Sequence, residues 1–478
     1  MKKIVAALLS VCLCAGMSGC GKKETVSNDS GTTTLTWLVP GDTPQDLPRV
    51  LEKVNEKLEE KINVHLDLKF IDEGAYQEKM NTYMASSYKY DIAFAGYNNP
   101  MVNAASKGGI ISIDELLEKT PDLKETIPDY AWELTKYDGK IYGVPNLQVL
   151  PTALGAMMNP ELLKKYNYSM DDFNCIDDLE PYLETIKNNE PEYIPYGVIA
   201  SSGAEMFDYG KDYAKVEKIW FKKGDDGKWH GKMKYETEEF IKGVHRVREW
   251  YEKGYIRKDV ATFQDDGSGK EKYGVTFAVY KPGIETLVKN SYNNDCVCKV
   301  IQKPVIKSCN AMTVIGKDSK NPEKAIQLIE LVNTDKELFN LLTLGFEGEH
   351  YKMVDENTFE YIGDKNTNKY FVNAAWKFGN VFNSYVAKGD PADVWEQTKK
   401  YNESAEISPL NGFAIDDKNI RTELSQIESL VSQYSMVQNG AVDPDTYYDE
   451  FLAKLKTAGS DKVVAEYERQ VEEFMNNK

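Results

Sequence analysis

The sequence predicts an α/β fold, a parallel sheet covered by helices, and three observations carry that prediction. Apolar residues alternate with polar ones from Val64 to Phe70, a strand with one polar face. Leu47, Leu51, Val54 and Leu58 fall at helical spacing just before it, with Glu and Lys between them. The order strand, helix, strand, helix, strand then recurs over residues 35–95, and strands that alternate with helices pair in parallel.

Taken in order, Leu35-Thr36-Trp37-Leu38-Val39 is a short apolar strand stopped by Pro40-Gly41-Asp42. The helix from Leu47 follows, then the strand over residues 64–70, a helix over Tyr76–Ala85 and a strand over Tyr90–Ala95. In open α/β sheets ligands sit beyond the carboxyl ends of the strands, which places Pro40-Gly41-Asp42 and Gly96-Tyr97-Asn98-Asn99 at the rim of a cleft. Asp138-Gly139 is a turn before a strand ending near Pro145, where a crossover into a second lobe begins. Phe240–Tyr251 reads as a helix, and Gly224–Gly227 and Asp265–Gly269 as exposed turns. Gly269-Lys270 is no phosphate loop, because Glu271 stands where Ser or Thr is needed. Asn321-Pro322 opens a helix whose apolar face is Ala325, Leu328, Ile329 and Val332. Asp443-Pro444 opens another, Gly459 closes it, and Ser460 is placed to cap a last helix striped by Val464, Tyr467, Val471 and Phe474.

The start of the chain answers a different question. Met1-Lys2-Lys3 precedes an uncharged run, Ile4–Gly16, of about 13 residues, short of the ~20 that span a bilayer. Small residues and Cys20 follow, an ending that resembles the bacterial lipoprotein signal, in which Cys20 is lipidated and becomes the first mature residue. Residues 21–34 lack large apolar side chains and read as a flexible tether. The chain is expected to be exported and held at the outer face of a cell by its lipid alone.

Composition excludes several classes. The 478 residues carry a formal charge of −18, which disfavours nucleic acid and anionic lipid as partners. Cys175, Cys296, Cys298 and Cys309 have no zinc spacing, and His65, His230, His245 and His350 are scattered, so neither metal nor cofactor is expected. The 30 tyrosines suit a protein that stacks rings on a ligand.

Five segments, in order, carry a resemblance: TLTWLVPGDTPQDLPRVLEKVNEKLEEKINVHLDLKFI with MASSYKYDIAFAG, DGKIYGVPNLQ, KNPEKAIQLIELVNTDKELFNLLTLGFEGEHY, WKFGN, and SPLNGFAID. Together they resemble the extracellular solute-binding proteins of bacterial ABC importers, the large family that includes maltose-binding protein, and within it the lipoprotein branch typified by LplA-like proteins. The likeness runs over most of residues 34–478 and is weakest from about 200 to 300.

That resemblance implies a two-lobed periplasmic-binding-protein-like α/β fold with the ligand in the cleft between lobes. It divides the chain into a signal peptide (1–19), lipidated Cys20 and tether (20–33), lobe 1 (34–147 plus 305–355) and lobe 2 (148–304 plus 356–478). It implies a monomeric binding protein, not an enzyme, on the outer face of a Gram-positive-type cell, serving an ABC permease and its ATPase. The expected ligand is a carbohydrate, most simply an oligosaccharide. Rings cover pyranose faces while amides and carboxylates read hydroxyls. Trp37, Phe94, Tyr97, Tyr142 and Trp376 are the candidate platforms, and Asp91, Gln148, Glu347 and Asn380 the candidate readers. Trp37 and Trp376 are expected on opposite sides of the cleft. The alternative is a cell-surface glycoside hydrolase, which needs two carboxylates at a set separation; with 76 acidic residues, acid content alone does not identify such a pair.

Overall fold

Trp37 sits on the second strand of a five-stranded sheet, paired in register with Leu68 on one side and Ile92 on the other. The order across this sheet is Val64–Ile71, Thr33–Pro40, Ile92–Gly96, Ala311–Ile315, Val144–Pro145. The first three strands are parallel, as the alternation of strand and helix requires; Ala311–Ile315 returns antiparallel to Ile92–Gly96. The computed structural model describes residues 31–86, 88–97, 100–197, 204, 212–263, 272–292 and 295–477. Cys20, the signal segment, most of the tether, Asn98-Asn99 and the Asp265–Gly269 turn lie outside the described residues.

The early elements follow their sequence signals closely. The helix Leu47–Ile62 buries Leu47, Val50, Val54 and Leu58 against the sheet, and ends where Asn63 takes a left-handed φ of 55° and returns its N–H to the Leu58 and Glu59 carbonyls. The helix Tyr76–Ala85 spans the expected residues and buries Tyr76, Met80 and Met84. The Asp138-Gly139 turn has φ 49° and 71°, the positive pair that a two-residue hairpin needs, and joins Lys136–Tyr137 to Lys140–Ile141. Two caps differ from expectation. Asn321 precedes Pro322–Thr334 without a side-chain cap bond, and the buried Ser460 hydroxyl has no partner.

A second lobe is built on a four-stranded sheet in the order Val297–Val300, Leu154–Met158, Tyr273–Val279, Ile194–Tyr196. Its core holds Tyr182, Tyr196, Trp250 and Phe221 together with Leu410, Ile427, Phe451 and Tyr467 from the end of the chain. Three segments cross between lobes. Thr152 bridges to Val305, and Val305–Ile306 pairs in parallel with Glu406–Ile407, so the crossings lie side by side as a narrow ribbon.

The lobe boundary near the end of the chain differs from the sequence expectation, which gave 356–478 to the second lobe. Tyr370 and Phe378 are fully buried in the same cluster as Trp37, Leu338 and Phe339. The Tyr370 hydroxyl donates to the Leu342 carbonyl at 2.9 Å, and Val381 N–H to the Leu147 carbonyl at 2.9 Å. Residues 356–404 therefore pack largely with the first lobe, and only from about Leu410 does the chain join the second-lobe core. No helix among the described residues is long and apolar enough to cross a membrane.

Candidate functional site

The first-lobe rim is built where two parallel strands end. Gly41 has φ +142°, a conformation that favours glycine, and its N–H reaches the Ile71 carbonyl at 2.8 Å to turn the chain off the sheet. At the end of the neighbouring strand, a Cβ on Gly96 would stand 2.0 Å from the Asn310 carbonyl oxygen. Glycine alone permits that approach, and Tyr97 N–H then bonds Asn310 O at 3.0 Å, leaving the Tyr97 ring 49% exposed beyond the strand.

Trp376 comes from more than 270 residues later and settles on this rim. Its ring centroid lies 5.7 Å from Tyr97, tilted by 54°, and both rings stand edge-on to buried Phe94 at 5.8 and 5.9 Å. Asn146 Nδ2 donates to the Trp376 carbonyl at 3.0 Å, and Thr313 Oγ1 donates to Asn146 Oδ1 at 2.9 Å. Next in sequence, Lys377 is buried and donates to both the Pro40 carbonyl (2.9 Å) and the Glu73 carboxylate (2.6 Å). Glu73 also accepts from the Tyr97 hydroxyl, so one carboxylate orients the tyrosine and anchors the residue beside the tryptophan. A tilted, partly exposed aromatic pair on a hydrogen-bonded base is the kind of surface that packs against a pyranose face.

Other predicted site residues have structural roles. Trp37 is fully buried, edge-on to Phe378 at 5.8 Å, so it is core and not a cleft wall. Trp37 and Trp376 thus belong to one lobe, not to opposite sides of the cleft. Phe94 is also fully buried and supports the exposed rings instead of presenting a face. Asp91 accepts from Thr36 N–H at 3.0 Å and from the Ser319 hydroxyl at 2.5 Å, tying strand to loop. Asn380 is buried and caps the short turn after it through Phe382 N–H at 3.0 Å. Tyr142 is half-buried against Tyr137, Gln148 is half-buried with its carbonyl bonded to Asn402 Nδ2, and Glu347 is exposed on the turn after Leu344.

A cavity of about 630 Å³ opens where the second lobe meets the crossing segments. Thr152, Gln302 and Val305 supply its crossing-segment wall, and Tyr213, Trp220 and Trp229 its aromatic wall. Tyr213 and Trp220 lie 5.6 Å apart; Lys215 sits 4.6 Å over the Trp220 ring, and the Tyr213 hydroxyl donates to Glu239 at 3.1 Å. None of these was picked from the sequence. Tyr213 and Trp220 fall in the stretch of weakest resemblance, and Ile219-Trp220-Phe221 reads as ordinary strand core.

Asp46, Glu349 and His350 place three ligand atoms within 4.8 Å of one another. The geometry opposes a metal. His350 Nδ1 accepts the Phe346 N–H at 2.9 Å, so in the neutral ring the proton is on Nε2, which faces Asp46 at 3.2 Å and has no lone pair to offer. Arg49 already bonds Asp46 and Glu349, each at 2.9 Å.

Known proteins resemble this chain over nearly all of its length. Residues 409–476 match the model of a domain of unknown function, DUF3502. A carbohydrate ABC transporter substrate-binding protein of Streptococcus pneumoniae serotype 4 is 29% identical over 99% of this chain and 97% of its own length. The crystal structure of the N-glycan transport solute binding protein NgtS of Streptococcus pneumoniae aligns over 93% of this chain and 100% of that one, with TM-score 0.79 and 28% identity. Along its whole length this chain is similar to substrate-binding proteins of carbohydrate ABC transporters. These substrate-binding proteins act in transport and are not enzymes, and nothing in the comparisons favours the hydrolase alternative. The two-domain fold is also shared with an extracellular solute-binding protein of Bifidobacterium longum subsp. infantis, at 17% identity and TM-score 0.66 over 92% of this chain and 98% of that one. Structures of NgtS in complex with Man1GlcNAc and Man5GlcNAc align at TM-scores of 0.67 and 0.63.

Proposed function

We propose that this substrate-binding protein captures an oligosaccharide of the N-glycan type between its lobes and delivers it to a membrane permease. The observation that carries the ligand class is the end-to-end likeness to NgtS, 28% identical over 93% of the chain. The Tyr97–Trp376 pair supports it, because two tilted rings offer apolar area to sugar faces while the Glu73–Lys377 bridge keeps them in place. The second-lobe cavity with Trp220 and Trp229 supplies the facing wall in this reading. In this reading Cys20 carries the lipid, residues 20–33 are the tether, and the chain works as a monomer on the outer face of the cell.

Thermal unfolding with Man5GlcNAc, a neutral glucan, a uronate oligomer and a peptide pool separates the ligand classes, since a ligand that binds the native state raises its stability by mass action. Man5GlcNAc is expected to raise the midpoint and to be recovered uncleaved. A shift with the uronate or the peptides alone would reject the ligand class, and release of smaller sugars would reject the binding role.

A further inference from the structure

A second groove lies apart from the rim and the hinge cavity, and its two walls come from different lobes. It encloses about 720 Å³. The first-lobe wall is the hairpin that carries Tyr137, Asp138 and Gly139; the second-lobe wall is Asn411–Asn419 and the last helix, with Arg469 and Phe474. Beside it the lobes come close: a side chain at Gly412 would stand 3.6 Å from the Lys136 carbonyl. All of the second-lobe wall lies inside the segment that matches the domain of unknown function.

One observation sets this groove apart from an ordinary crevice. Asn411 is 8% exposed, lines the groove, and its buried Oδ1 has no hydrogen-bond partner. A buried amide oxygen left without a partner costs about 1–3 kcal/mol, and a turn of the Asn411 side chain toward a ligand hydroxyl in the groove would remove that cost. Across the groove Asp138 makes no ion pair among the described residues and is held in the tight turn by its φ of 49°.

We infer that this groove is a second binding site for a neutral saccharide, with Asn411 and Asp138 reading hydroxyls and Phe413 and Phe474 supplying the apolar face. The charges point to a neutral ligand. Arg469 is paired with Glu466 and Glu473, Lys136 with Glu133, and Asp416 with Lys418, so neither an unpaired basic cluster for an anion nor a bare acidic cage for a cation remains. The aromatic groups are placed for stacking: Phe413 and Phe474 are partly exposed, 5.7 Å apart and edge-to-face. Polyhydroxylated rings suit such a mixture of donors, acceptors and apolar faces.

The probe, Man5GlcNAc, rests on the proposed function, so the experiment must tell the two sites apart. Calorimetric titration of the full chain into the millimolar range is expected to give two events, the tighter at the interlobe cleft and the weaker in the groove. Asn411→Ala and Asp138→Asn should each weaken the second event at least tenfold and leave the first unchanged. Trp376→Ala should do the reverse. Asp138→Asn keeps a residue that tolerates the turn, and unfolding midpoints within error of the parent confirm that both groove variants fold. A single event removed by Trp376→Ala and untouched by Asn411→Ala would overturn the groove alone. A second event that survives both groove variants would overturn it as well. No event at all would reject the proposed ligand together with the groove.

Discussion

The Lys377 ammonium donates to the Glu73 carboxylate at 2.6 Å across 304 residues of sequence, and the pair fastens the segment that carries Trp376 to the end of the first-lobe sheet. Lys377 also satisfies the Pro40 carbonyl at 2.9 Å, which would otherwise lack that donor. Replacing Lys377 with methionine keeps most of its apolar volume and removes both bonds. Stability should fall by about 1–3 kcal/mol, as for a buried acceptor left unpaired, and affinity for Man5GlcNAc should fall with it. Urea unfolding and calorimetric titration of Lys377→Met measure the two effects; unchanged affinity would remove the bridge from the site.

The exposed rings themselves should contribute directly. If Tyr97 and Trp376 pack on the sugar, each is worth ~1–2 kcal/mol through buried area and ring contact. Tyr97→Ala and Trp376→Ala should then weaken binding roughly 5- to 30-fold, at ~1.4 kcal/mol per decade. Because the rings touch, at 5.7 Å between centroids, the double variant should show a non-additive loss. Additive losses would mean the two rings act on the ligand separately.

Trp37 should behave in the opposite way. It is fully buried between strands and against Phe378, so Trp37→Ala leaves a large void and should cost ~3–5 kcal/mol of stability. Its indole N–H has no partner, so Trp37→Phe forfeits no hydrogen bond and should cost much less. The affinity of the folded fraction should stay at the parent value in both. A selective loss of affinity in stably folded Trp37→Phe would put Trp37 back in the cleft.

Acid should loosen the start of the first long helix. The hydrogen bond from His350, and then Arg49, holds the Asp46 carboxyl below the usual carboxylate range, while its partial burial acts the other way. The unfolded-state value is about 3.9, so this contribution is complete above roughly pH 4 and is lost as pH falls through the lower folded-state value. Asp46→Asn should be less stable than the parent at neutral pH, with a flatter stability curve below about pH 4. Parallel curves for the two proteins down to acid unfolding would show that Asp46 is not the group that titrates.

Export should depend on Cys20. Cys20→Ala should release the protein from the membrane fraction with its unfolding midpoint unchanged, because the tether separates the anchor from the first strand at Thr33. Retention equal to the parent would reject lipid anchoring.

What the sequence determined by itself was local. The helix Tyr76–Ala85, the strand from Val64, the positive-φ Asp138-Gly139 turn and the parallel order of the first sheet follow from periodicity and turn chemistry, which act over a few residues. The rim was partly legible, since a strand ending in Gly96-Tyr97 points an aromatic ring past the sheet. Which tryptophan would be exposed was not. Trp37 lies in an apolar strand and Trp376 beside Lys377, but burial is decided by distant partners: Phe378 closes over Trp37, while Trp376 is stopped at the surface by Phe94 and by the Glu73–Lys377 bridge. The groove of Asn411 is likewise invisible in one dimension, because its walls lie some 270 residues apart and meet only when the lobes pack. Local preference sets the elements, and solvent exclusion between segments remote in sequence sets which of their side chains remain available to a ligand.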